Sequence, residues 1–154
     1  MTKELPGLVL WLGAALAAGL LGSQFMPGEW YASLTKPAWT PPNAIFAPVW
    51  TVLYVLMGIA AWLVWRKAGF SGATVPLVLF LLQLVLNSLW SYLFFGAQQP
   101  MLAFFEIVAL WLAILATTLG FWKVTPAAGM LLVPYLCWVA FAAALNLQLW
   151  RLNT

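Results

Sequence analysis

Apolar residues in this chain come in long runs rather than in alternation, and each run ends at glycine, proline or charged residues. Five such runs extend over roughly 5–25, 44–65, 75–95, 101–122 and 127–150. Each is close to the ~20 residues that carry a helix across a bilayer and about twice the length of a barrel strand, and none shows period-2 alternation. Hydrocarbon offers a backbone no hydrogen-bond partner, so spans of this kind must satisfy themselves as helices. The pattern predicts an all-α integral membrane protein, a bundle of five transmembrane helices forming a single domain over 1–154. One polar, proline-punctuated stretch, Trp30 to Pro42, interrupts the apolar text between the first two runs. It is long enough to have structure of its own, and we expect it to form a lid on the bundle.

Composition supports the same class. Hydrophobic residues make up 66% of the chain and charged residues only 6%, against ~25% in soluble domains, with a mean hydropathy of +1.01. The net charge of +3 comes from six cations and three carboxylates, most of them in loops or near the termini, which argues against nucleic acid as a partner. A single cysteine, Cys137, forms no intrachain disulfide, and with no histidine and few carboxylates a multi-ligand metal site is not expected. The first apolar run is too long for an ordinary signal-peptide core and is followed by four more, so it reads as the first span. Five spans put the termini on opposite sides. The side with the N-terminus and the second and fourth connections carries Lys3, Arg66, Lys67 and Lys123, whereas the other carries Lys36 and Arg151, a bias toward a cytoplasmic N-terminus. One cysteine and no arginine-rich presequence point to a bacterial cell membrane.

Small residues in the first run (Gly13, Ala14, Ala15, Ala17, Ala18, Gly19, Gly22) and in the fourth (Ala109, Ala113, Thr117, Gly120) predict close helix–helix approach, either within one chain or between two copies. Chemistry has to come from polar and aromatic side chains inside the bilayer, which membrane solvation penalises. Three spans carry them at helical spacing: Trp50, Tyr54, Met57, Gly58, Ala61 and Trp65 on the second, Gln83, Asn87, Trp90, Ser91 and Phe94 on the third, and Tyr135, Trp138, Ala142, Leu145 and Asn146 on the fifth. These faces are expected to converge. An unpaired amide in hydrocarbon costs several kcal/mol, so Asn87 and Asn146 need partners in the bundle; the carbonyl of Met130, freed by Pro134, is one candidate. Pro48 is expected near the first turn of its helix, where proline is tolerated. Trp11, Trp122 and Trp150 lie near span ends, as aromatic-belt residues do, and Trp62 and Trp65 read the same way. Trp50, Trp90 and Trp138 lie on the polar faces instead and are candidates to line a cavity. Glu106, about one turn into the fourth run, is expected to snorkel to the interface, with a proton-coupled or substrate-pairing role as the alternative.

These residues also form a pattern. Trp30-Tyr31, Leu34-Thr35-Lys36-Pro37-Ala38-Trp39-Thr40-Pro41-Pro42, Phe46-Ala47-Pro48-Val49-Trp50-Thr51, Leu53-Tyr54 and Met57-Gly58 resemble the TspO/MBR family. So do Leu86-Asn87-Ser88-Leu89-Trp90-Ser91, Phe94-Phe95-Gly96, Pro134-Tyr135-Leu136-Cys137-Trp138, Phe141-Ala142 and Leu145-Asn146. The resemblance implies a five-helix membrane protein, commonly a homodimer, that works as a receptor, transport-related regulator or sensor. Its expected ligands are tetrapyrroles such as protoporphyrin IX and haem-type porphyrins, sterols and benzodiazepine-type drugs, held in a cavity beneath the first loop without a required cofactor. By the same resemblance Trp50 and Trp138 face the ligand, and Tyr31, Pro41, Asn87, Trp90 and Ala142 match other pocket positions; Asn146 joins them from its stripe. The family's sterol segment needs a tyrosine after Leu145-Asn146, and this chain has Leu147 there, which weakens the case for cholesterol. A second implied function is light-dependent oxidative breakdown of protoporphyrin through Trp50 and Trp138. A more distant one is a proton-coupled exporter built on Glu106. No acid–base pair or nucleophile arrangement supports hydrolytic or transfer chemistry.

Without histidine the commonest axial ligand of haem iron is missing, which leaves Cys137, a methionine or a tyrosine. A bound porphyrin would rest on stacking, its propionates reaching indole N–H groups or Lys36. Metal-free porphyrin is therefore expected to bind about as tightly as haem in absorption titrations. A strong preference for haem, with a spectral shift from iron ligation, would contradict this.

Overall fold

The structure is a computed structural model that describes residues 4–154. Five long apolar helices make the bundle: α1 (Glu4–Gly22), α3 (Asn43–Gly72), α4 (Thr74–Ser91), α5 (Pro100–Val124) and α6 (Pro126–Leu152). A short helix, α2 (Glu29–Ser33), lies in the first connection. All five long helices are long and apolar enough to cross a membrane, and the chain is an integral, multi-pass membrane protein. Proline at the first turn starts both α5 and α6, where its missing N–H would have had no partner anyway.

Two local features differ from the sequence expectation. The second connection, expected as a loop over Arg66 to Thr74, is largely helical: α3 continues to Gly72 and breaks only at Gly69, where a φ of 69° suits glycine. Pro48 sits six residues into α3, inside the helix rather than in its first turn. At the end of the third span α4 passes into a π turn, Tyr92–Gly96, in which Ala97 N–H donates to Tyr92 O (2.7 Å). Such widened turns add a residue to the helical circuit and occur often at functional sites. Here the turn seats Phe94 in the interior at 2% exposure.

Helix α1 packs on α3 and α4, α5 on α4 and α6, and α3 on α6. Small residues permit the closest of these contacts. A Cβ on Gly58 would lie 2.8 Å from Leu12 Cα, so α1 and α3 touch backbone to backbone there. Gly120 similarly takes Pro76 of α4 against its backbone. In a bilayer, close van der Waals packing of this kind is a main source of helix association. Ala15, Ala18 and Gly22 are spent inside the monomer, whereas Gly13 and Ala17 remain exposed.

The bundle has two unlike ends. At one, Glu4 pairs with Arg66 at 4.0 Å, Trp62 Nε1 donates to Glu4 O (2.8 Å), and the Arg66 guanidinium lies 4.7 Å from the Trp62 ring centre. At the other end, α2 and the rest of the first connection cover the helices. The side chain of Asn153 binds both backbone groups of Thr35: Oδ1 accepts from its N–H and Nδ2 donates to its carbonyl, each at 2.9 Å.

Gly58→Val should lower stability by about 1–3 kcal/mol, because Leu12 backbone cannot yield as a side chain can. Thermal unfolding in detergent measures this against Gly13→Val, which meets nothing within 4 Å and should be neutral.

Candidate functional site

At the covered end the helices enclose a cavity of about 550 Å³, walled by α1, the start of α3, the end of α4 with its π turn, and the second half of α6. Aromatic rings dominate it. Trp50 stands centrally: it stacks on Tyr54 (centroids 5.7 Å, 29°) and meets Tyr135 edge-on at 6.2 Å and Trp138 nearly perpendicularly at 6.5 Å. Phe46 and Phe141 flank Trp138 at 6.2 and 5.5 Å, while Trp90 stacks on Phe94 at 5.3 Å. Spaced in this way, the faces and edges suit a flat, apolar ring system.

Beneath Trp50 lies a buried polar chain linking three helices. Tyr54 OH donates to Asn87 Oδ1, Asn87 Nδ2 donates to Tyr135 OH (2.8 Å), and Tyr135 OH donates to Gln83 Oε1 (2.6 Å). Asn87 is 3% exposed, and both its amide oxygen and its amide nitrogen are engaged in this chain. Asn146 plays the same part nearer the lid, accepting from Trp90 Nε1 (2.9 Å) and donating to Pro100 O (2.8 Å). Neither amide uses the Met130 carbonyl, which is a correction to the sequence expectation; Met130 lies on an exposed face of α6 at 57% exposure.

The lid's under-surface is its first part. Met26, Pro27 and Tyr31 line the cavity, and Tyr31 is seated against Phe94 and Phe95 at 3% exposure, with ring centroids 6.3 and 5.6 Å away. Burial pushes its phenol above the usual value, and its hydroxyl has no hydrogen-bond partner among the described residues. Trp138 Nε1 is likewise buried and unpartnered among them. Both are donors on cavity-lining residues.

Of the residues singled out from the sequence, Tyr31, Trp50, Trp90, Trp138, Ala142 and Asn146 come together around the cavity. Two do not. Asn87 is committed beneath it, and Pro41 lies in the outer part of the lid, just before the Pro42 that caps α3. Lys36, a candidate propionate partner, is turned onto the lid itself: its ammonium donates to Ala32 O and Leu34 O (3.2 Å each) and sits 4.8 Å from the Tyr31 ring centre. Cys137 is exposed and off the cavity, so among the axial candidates only Met26, Tyr31 and Tyr54 border it. Glu106 does not snorkel: both carboxylate oxygens are buried without a partner among the described residues, within electrostatic reach of Tyr135 and outside the cavity lining. Its place on α5 faces the neighbouring α6 rather than the interface. Sequence reasoning missed the contribution of α1, where Leu16, Gly19 and Leu20 form a wall; those positions carry no polar or aromatic signal.

With this geometry in place, the TspO/MBR family profile matches residues 8–151. The chain belongs to the TspO/MBR family. It is 45% identical to the tryptophan-rich protein TspO of Chlorobaculum tepidum over 160 aligned residues, covering 99% of each chain. It is 43% identical to the translocator protein of Homo sapiens, covering 92% of this chain and 89% of the relative, and 42% identical to protein CrtK of Rhodobacter capsulatus, covering 91% and 88%. In the family member described here, the tryptophans divide into distinct groups. Trp50, Trp90 and Trp138 line the cavity, Trp62 ties α3 to α1, and Trp122 is exposed on the bundle surface.

Asn87→Ala should destabilise the ligand-free protein by about 2–4 kcal/mol, because it strands the buried Tyr54 hydroxyl and removes the donor to the Tyr135 oxygen. The loss should shrink in a Tyr54→Phe background, where that hydroxyl is already gone; a double-mutant cycle on thermal unfolding reads the coupling.

Proposed function

We propose that this TspO/MBR family protein is a membrane receptor or transport-related regulator that takes tetrapyrroles, protoporphyrin IX and haem-type porphyrins, and similarly flat drug-like molecules into the cavity beneath its lid. The observation that carries the reading is the aromatic arrangement around Trp50. A disc-shaped ligand gains contact from indole and phenyl faces on three helices at once, and the cavity volume lies within the range of small-molecule sites. Tyr31 OH and Trp138 Nε1, buried and unpartnered among the described residues, could meet polar edge groups such as ring nitrogens or carboxylates after a small side-chain shift. No cofactor is needed for binding of this kind. The protein acts as a homodimer in this reading, which cross-linking in native membranes tests.

The contact between Trp50 and Trp138 supports a second reading, light-dependent oxidative degradation of protoporphyrin. Two indoles 6.5 Å apart beside the same cavity are placed to give electrons in succession to an excited porphyrin. The exporter reading has less support, because Glu106 does not line the cavity.

An illuminated porphyrin titration separates the readings. In the Trp50→Phe, Trp138→Phe double variant we expect affinity to fall about ten- to a hundredfold, corresponding to roughly 1–3 kcal/mol of lost stacking. Unchanged affinity with lost photobleaching would favour degradation over reception. If neither changes, the cavity assignment is wrong.

A further inference from the structure

We infer that ligands reach the cavity sideways from the bilayer, through a portal between α1 and α3, and not from the water beneath the lid. The inference rests on the reading of the cavity as a ligand site. Two stripes face each other across the mouth: Leu16 and Leu20 on α1 with Ser23 just past its end, and Asn43, Ala47 and Thr51 on α3. All six line the cavity and all six are exposed, Leu20 at 67%, more than an enclosed wall would leave accessible. A residue that is both cavity wall and outer surface marks an opening.

The two helices are arranged to leave that opening at one level only. Further from the lid they touch backbone to backbone at Gly58 and Leu12, and Gly19, between Leu16 and Leu20, takes the Tyr54 ring against its backbone in the lower part of the mouth. The lid, in contrast, is fastened. Asn153 holds both backbone groups of Thr35 and also donates to Leu149 O at 2.8 Å, while Tyr31 is wedged among Phe94 and Phe95. Lifting it would break two charge-free but well-formed hydrogen bonds and expose a buried aromatic side chain to water. Passage between Leu20 and Thr51 breaks neither of these lid contacts. The molecules admitted are those that dissolve in the leaflet on the lid side: planar, apolar ring systems with their polar edge groups held near the headgroups.

The test uses the full chain in nanodiscs with protoporphyrin IX pre-equilibrated in the lipid, following porphyrin emission as it binds. Leu20→Phe and Thr51→Phe, two exposed positions on opposite sides of the mouth, should each slow association by about tenfold and slow dissociation as well. Asn153→Ala, which unfastens the lid, should change both rates less than about twofold. Unchanged rates in both mouth variants would overturn the portal, as would a tenfold faster association in Asn153→Ala. A mouth variant that raises only the dissociation rate would make these residues ligand contacts rather than a passage, and would also overturn it. No saturable binding by the wild type would remove the cavity reading itself, an outcome distinct from the other three.

Discussion

A polar atom inside a bilayer must find its partner within the protein, and here Asn87 meets that requirement for three helices at once. Its amide stands between Tyr54 of α3 and Tyr135 of α6, and Tyr135 passes the chain on to Gln83 of α4. Water cannot substitute for a broken link at this depth, so relative sliding or rotation of the three helices would leave a hydroxyl or amide stranded. The cavity floor inherits that registration. Trp50 rests on the two tyrosines that Asn87 holds, and its orientation toward Trp138 follows from theirs.

The same economy of partners organises the lid end. Asn146 joins Trp90 of α4 to the carbonyl that opens α5, and Asn153, two turns further on in α6, reaches the first connection. Helix α6 thus carries three anchor points, at Tyr135, Asn146 and Asn153, and through them holds the floor, wall and cover of one cavity. Of the buried groups without partners among the described residues, Tyr31 OH and Trp138 Nε1 belong to residues of that cavity, whereas Trp11 Nε1, Gln83 Nε2 and Glu106 lie outside its lining.

Much of this was legible in the chain because a membrane simplifies the rules. Long apolar runs have one stable conformation in hydrocarbon, so five helices follow from length and composition alone. The stripes holding Trp50, Asn87, Trp90, Tyr135, Trp138 and Asn146 could be read from helical spacing, since burying amides and hydroxyls forces those faces inward. The family motifs added Tyr31 to that reading and marked Ala142 as a pocket position.

Partner choice was not legible. Nothing in the spacing says that Asn87 spends its amide on Tyr54 and Tyr135 while Asn146 takes Trp90, because each amide could have met any polar atom at its depth. The π turn that seats Phe94, the continuation of α3 beyond Arg66, and the inward path of Lys36 onto Tyr31 are likewise local outcomes of packing. Wall residues on α1 were invisible for a simpler reason: leucine and glycine look the same in sequence whether they face lipid, a neighbouring helix or a cavity. The sequence by itself determined the class, the spans and which faces turn inward, because hydrocarbon penalises every exposed polar group. Only the tertiary structure decided which groups pair, which stay free and where the bundle opens, because those depend on how close particular backbones come.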